Sequence, residues 1–428
     1  MSNWEIKEIK SIGRVVTGKT PPKNELKYFD GEHLFVSPKD LDWDELYVLE
    51  TETKITKDAL VKFKNQVIPR NAIMYTSLSF SFGKIGIASE PSLTNQQISS
   101  VIVNTSHDFK FIYYLLRANR PLIFSYNSGI DTPIVPKSVF EKIELKCPPL
   151  SIQRKIAAIL SAYDDLIENN DRRITLLEKM AEEIYREWFV RLRFPGHKQV
   201  KFHKGIPEGW AVVELGDVVN DIIDYRGITP GKLNSDWQDQ GIIALSALNV
   251  KTGKLIRLED AKRVSEVLFE KWMRKKLEQL DILLTSEAPL GEVYILMGET
   301  KYVLSQRLFA IRANPEVVNP FYLYYYLLCE VGQYELTSKA TGSTVGGIRQ
   351  ALLRKVAVLI PTSIVQREFS TIAEPILRNI QRLWCENNLL KQTRDRLLTR
   401  LISGKLSVED LDIQFPPSMT EIAEASYD

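Results

Sequence analysis

The residue types that could carry chemistry are few and scattered. Only four histidines occur, His33, His107, His197 and His203, and none falls in an H-x-x-x-H pair or beside a G-x-S-x-G nucleophile turn. Cys147, Cys329 and Cys385 lie far apart and form no C-x-x-C pair, so neither a structural zinc site nor a disulfide framework is expected. The run NPFY at Asn319–Tyr322 approaches the N-P-P-Y loop that grips an exocyclic amine, but Phe321 breaks it and no glycine-rich S-adenosylmethionine turn precedes it. Asn319 reads better as a helix cap, with Pro320 in the first helical position. SPKDLDWDE has carboxylates and a lysine in the wrong order for a nuclease, and STVGGIR lacks the Lys-Ser/Thr ending of a phosphate loop. No catalytic constellation and no metal site is expected.

What the chain offers instead is hydrogen bonding and spot charge. Lys19, Thr20 and Lys23 stand in one loop, Ser77, Ser79 and Lys84 in a second, and Asn95, Gln96 and Gln97 in a third. Further along come Arg226, Thr229 and Lys232, then Ser286, then Gln306 and Arg307, then Lys339, Thr341, Ser343, Thr344 and Arg349. Arg, Asn, Gln, Ser and Thr read base edges, while Lys and backbone N–H groups hold phosphates. These residues are the candidate DNA contacts. The net charge is only +2, from 56 Lys and Arg against 54 Asp and Glu, so any grip on an anion must be local.

Any one of these loops reads as a polar surface turn, but the loops recur. Gly18 and Gly227, Ser37 and Ser246, Ser77 and Ser286, and Gln97 and Gln306 all stand 209 residues apart. The separation drifts to 211 at Asp108 and Asn319 and to 213 at Gln153 and Gln366, as small loop insertions would produce. Trp4 and Trp210 open the two copies. Each copy mixes short β-like runs such as AIMYTSL and DILLTS with short helices, a mixed α/β, or α+β, globule. The expected order is a globule over 1–150, a long helix over 151–193, a linker over 194–209, a globule over 210–361, a second long helix over 362–406 and a tail over 407–428. The linker reading rests on five glycines and prolines in FPGHKQVKFHKGIPEGW and on its lack of an apolar period.

Both long helices carry an apolar stripe at steps of three and four. In the first it runs through Ile159, Tyr163, Leu166, Ile174, Leu177, Ala181, Ile184 and Trp188, with Asn170 filling a gap. In the second it runs through Ile372, Ile376, Ile380, Leu383, Leu390, Leu397 and Leu401, with Asn387 in the seam. Ser151 is expected to cap the first helix, Ser363 and Gln366 to form a capping box on the second, and Gly404 to end it. A rod of about 40 residues, roughly 60 Å long, cannot bury its stripe alone. The expectation is an antiparallel coiled coil of the two rods, with an internal pseudo-two-fold repeat and the globules at opposite ends.

Taken in order, these features resemble the DNA-specificity subunit of type I restriction–modification systems. The resemblance covers residues 4–408. It rests on the duplicated W…L…G-x-TP openings, S-x-A-P-x-G at Ser286–Gly291 and the Pro…Gln-Arg run before each long helix. N-D-R-R-I-x-x-L-E from Asn170 and LL-x-R-L-I-S-G-K-L from Leu397 complete it. It implies that each globule is a target-recognition domain reading one half of a split double-stranded DNA sequence. It implies that the coiled coil sets the spacing of the halves and docks modification (methyltransferase) subunits. Those partners would supply S-adenosylmethionine and adenine-N6 methylation, and restriction subunits would add ATP- and Mg-dependent translocation and cleavage. No cofactor and no activity is then expected in this chain. The first copy departs from the pattern by having SLSFSFG where the second has SEAPLG. The other reading of the same rods is a coiled-coil scaffold that binds protein without reading DNA. No apolar run approaches the roughly 20 residues of a membrane span, and a cytoplasmic location is expected.

Overall fold

A computed structural model describes residues 4–416 and Met419, except Asp44, Ser79, Ile130 and 343–345. The chain forms two compact units, one of Met1–Asn170 with Glu386–Asp428, the other of Asp171–Cys385. Each unit holds one globule together with part of both long helices.

In the first unit the strands Glu5–Glu8 and Glu144–Cys147 pair antiparallel, so the globule's two chain ends are tied together. Its main sheet runs Gly13–Thr17, Ile98–Val103, Ile73–Thr76, Ile85–Ala88, Tyr47–Val48. Every residue of the strands Ile73–Thr76 and Ile85–Ala88 is buried, as suits the near-continuous apolar runs of central strands. A smaller sheet orders Thr53–Ile55, Phe29–Val36 and Leu93–Thr94.

The second unit repeats this plan. Ala211–Glu214 pairs antiparallel with Ala357–Ile360. The main sheet runs Val219–Asp224, Leu308–Ala313, Ile282–Ser286, Leu290–Ile295, and the smaller one Arg263–Val264, Ile242–Leu245, Val303–Leu304. The duplication seen in the sequence is therefore a duplication of strand order over four strands, with Tyr47–Val48 a fifth, edge strand of the first sheet. Residues 194–209 are more than a linker: Phe202–His203 and Ile206–Pro207 form a short hairpin, and Phe194 is buried with its ring 4.9 Å from that of Trp210.

Against each main sheet packs a short aromatic helix, Phe109–Ala118 in one unit and Pro320–Leu328 in the other. Asp108 caps the first by accepting from the Phe111 N–H at 2.8 Å, and Asn319 caps the second by accepting from the Phe321 N–H at 2.9 Å. The NPFY run is thus a helix start. The repeated glutamine pins this cap to the long helix. The Gln153 side chain accepts from the Asp108 N–H at 3.0 Å and donates to the Pro148 carbonyl at 2.8 Å. Gln366 accepts from the Asn319 N–H at 2.7 Å and donates to the Pro361 carbonyl at 2.8 Å. With Gln366 so engaged, no capping box forms with Ser363, which is the first residue of its helix, and Ser151 lies inside the other. Gln366→Ala would take the side-chain partner from a half-buried N–H and a buried carbonyl. It should cost about 1–3 kcal/mol per stranded group, read as a lowered unfolding midpoint in urea.

The first long helix spans Leu150–Tyr185 and widens into a π turn over Arg186–Val190; the second spans Ser363–Ile402. Within the first unit the Asn170 amide donates to Asn387 at 2.9 Å and Arg394 donates to Asp164 at 2.5 Å. One residue number falls as the other rises, so the rods run antiparallel there. Within the second unit Ile174, Ala181 and Tyr185 share one core with Phe369, Ala373, Ile376, Leu377, Ile380 and Leu383. Leu401 and Ile402 are buried in the first unit. The expected stripe needs two corrections. Leu166 is 54% exposed and Ile372 36% exposed, while Ile167, Asp164 and Arg394 are buried. Following apolar residues alone skipped the charged seam positions and moved the stripe by one residue at Leu166. Ile159, Tyr163, Leu177, Ile184, Trp188, Leu390 and Leu397 are half-buried at the edges of the seam.

Candidate nucleic-acid interface

In the first unit the polar loops meet at one end of the main sheet. The Ser77 N–H donates to the Gln97 carbonyl at 3.0 Å, and the Val135 N–H donates to the Ser77 carbonyl at 2.8 Å. The Lys19 loop folds onto the same place. A side chain at Gly18 would come within 2.2 Å of the Thr94 and Asn95 carbonyl oxygens, so only glycine permits this approach. The Thr20 hydroxyl donates to Gln96 at 2.8 Å. Lys84 reaches the Pro38 carbonyl at 3.2 Å, which brings in the loop after Val36.

The second unit uses the same joints. The Ser286 N–H donates to the Arg307 carbonyl at 2.8 Å, and the Ile348 N–H donates to the Ser286 carbonyl at 2.9 Å. Two turns match in detail as well. Ser37 donates through its N–H and hydroxyl to Asp40 at 2.8 and 2.6 Å, and Ser246 does so to Asn249 at 3.0 Å in both bonds.

The candidate contacts divide by exposure. Lys19, Lys23, Gln96, Gln306, Arg307, Thr341 and Arg349 are exposed and can reach a ligand. Asn95 and Gln97 bond each other across their turn, leaving both half-buried. Lys232 donates to the Gly227 carbonyl at 2.7 Å, Thr229 precedes the short helix Pro230–Leu233, and Lys339 pairs with Glu335 at 3.8 Å. Three assignments change. Ser77 and Ser286 are buried at the loop roots, so they support the loops and do not reach outward. Arg226 spends its fork on Asp224, at 2.9 and 2.8 Å, and on the Ile348 carbonyl at 3.1 Å, while its guanidinium lies 3.9 Å from the centre of the Phe309 ring. It braces two loops. Ser79, Ser343 and Thr344 lie outside the described residues.

The sequence reading missed a cavity of about 360 Å³ beside Gln306, lined by Trp237, Ser246, Asn249, Arg257 and Lys262 among others. The Lys262 ammonium sits 5.1 Å over the Trp237 ring. Among the described residues no group of three or more His, Cys, Asp or Glu could hold a metal ion, and no helix is long and apolar enough to cross a membrane.

The family model of the type I restriction modification DNA specificity domain matches residues 1–179 and again 207–390. The chain belongs to this family. Each match spans one globule and runs on into a long helix, so the duplication is of the whole specificity domain. The chain is similar to the type I restriction enzyme MjaIX specificity subunit of Methanocaldococcus jannaschii, 26% identical over 419 residues, covering 96% of this chain and 95% of that one. It is 24% identical to the MjaVIII specificity subunit of the same organism, covering 96% and 94%. Its fold is like that of the type I restriction–modification S subunit from M. genitalium, with a TM-score of 0.59, 15% identity, and 94% and 96% of the two chains covered. It is a specificity subunit with two target-recognition domains, the non-catalytic component of a type I system.

Proposed function

We propose that this subunit reads a split DNA sequence, one half with each globule, and that its paired long helices set the gap between the halves and seat the modification subunits. One observation carries the reading. The loops of the two units hang on the same backbone joints but present different side chains, Lys19, Lys23 and Gln96 in one against Gln306, Arg307 and Arg349 in the other. One scaffold displaying two unlike polar surfaces suits two unlike half-sites. Exposed lysines hold phosphates and set register, while the glutamines and arginines discriminate base edges. S-adenosylmethionine, ATP and Mg belong to the partner subunits on this reading, and the complex works in the cytoplasm.

The test is to replace residues 1–148 with the equivalent segment of another family member and map methylated adenines. One half of the target should change and the other stay. A change in both halves, or in neither, would defeat the modular reading. A scaffold that ignores DNA would show no sequence preference in the assembled complex at any salt concentration.

A further inference from the structure

Among the described residues Phe80 is the most exposed large apolar side chain, at 86%. It stands at the tip of the loop from Ser77 to Lys84, and the root of that loop is firmly held. Besides the Ser77 joints, the Gly83 N–H donates to the Thr76 carbonyl at 2.9 Å. Phe82 packs edge-on to Tyr75 and Phe124, with ring centres 5.9 and 5.3 Å away. Gly83 turns the chain at a φ of +88°, a left-handed conformation that favours glycine, and Arg120 packs beside it with its guanidinium 5.0 Å from the Trp43 ring centre. So the loop is braced while its apolar tip is bare. The root of this loop joins the cluster that carries Lys19, Lys23, Lys84 and the Asn95–Gln97 turn.

We propose that Phe80 is a wedge that enters the base stack of the half-site read by the first globule and unstacks one base step. This rests on the reading of that globule as a DNA-recognition domain. The lysines and amides of the cluster at its root suit phosphates and base edges, and the broad apolar surface that duplex DNA offers among those groups is the base face. Aromatic side chains on DNA-binding loops use that surface by stacking or wedging. At the matching position, 209 residues on, the second globule has Pro289 after Ala288, exposed and without an aromatic ring. The aromatic wedge belongs to the first half-site alone.

The experiment uses the full chain assembled with its modification subunits, and duplexes carrying 2-aminopurine at successive positions of the first half-site other than the methylated adenine. Binding should raise the fluorescence at one step. F80A should lose that rise and weaken binding roughly ten- to hundredfold, and F80W should keep both. Because Phe80 is exposed, F80A should melt with the wild type. Sequence-specific binding by the wild type with no rise at any position would overturn the proposal, as would a rise that survives in F80A. Failure of F80A to assemble with the modification subunits would overturn it too, by making Phe80 a protein contact. An absence of sequence-specific binding by the wild-type complex would instead remove the reading beneath it, and that outcome is visible before any variant is made.

Discussion

Arg394→Leu alone is expected to destabilise the chain by about 3–5 kcal/mol, because it strands a buried carboxylate. The Arg394 side chain is 1% exposed and Asp164 7%. Asp164 takes the guanidinium at 2.5 Å and a short bond from the Tyr114 hydroxyl, and burial still holds its carboxyl above the usual range despite both partners and Arg117. Arg394 also donates to Asp395 at 3.0 Å, which Arg117 contacts at 3.0 Å. The repeat supplies the control. Leu377 stands 213 residues after Asp164, and Arg394 stands 213 residues after Ala181, and both apolar residues are buried in the second unit. That unit thus fills the same seam position without charge. The double change Asp164→Leu with Arg394→Ala should recover most of the loss, since an apolar pair of fitting volume commonly equals or exceeds a buried ion pair. The orphaned Tyr114 hydroxyl would keep a residual deficit of about 1–3 kcal/mol, which adding Tyr114→Phe should close. Urea midpoints of the three variants check this. A double variant as unstable as Arg394→Leu would show that the wider network, and not the pair, holds the seam.

What the sequence showed depended on whether the cause was local. Asn319 and Asp108 were legible as caps because a cap bonds the next few residues. The duplication was legible because ordered spacings survive divergence, and strand order followed. Gln366 was misread because its partner, the Asn319 N–H, lies 47 residues away, and a capping box is the local answer to the same letters. Asp164 and Arg394 were invisible to a search for apolar period because each is buried only by virtue of the other. Leu166 lost its place to Ile167 for the same reason, since the true seam passes through Asp164. At the candidate interface the loops were found but their depth was not. Ser77 and Gln96 have similar chemistry, yet one sits at a loop root and the other faces water. In SLSFSFG the two phenylalanines alternate. Only the packing of Phe82 on Tyr75 and Phe124 tells which of them is anchored and leaves Phe80 outside.

Adding seven residues to both long helices should lengthen the preferred gap between half-sites. The insertions go after Asn170 in one helix and after Cys385 in the other, where the two compact units divide. Placed there, they leave Asn170 with Asn387 and Asp164 with Arg394 in the first unit, and the Ile174 and Leu383 seam in the second. Seven residues add about 10.5 Å of helix and return the face to within about 20°. That length corresponds to about three base pairs at 3.4 Å each. Three base pairs also turn the duplex by roughly 100°, which the helices do not follow, so the longer gap should be preferred without the original affinity being fully regained. On the original target, loss of one half-site should cost about a thousandfold or more, the margin that separates specific from non-specific binding. A seven-residue insertion in one helix alone is the decisive control. The other helix keeps its length, the extra turns must loop out, and the gap should stay as it was. Competition binding against duplexes of graded gap length, with modification subunits present, reads all three proteins. If the double insertion preferred the original gap, the helices would not be the ruler, and the spacing would have to be set by the partner subunits.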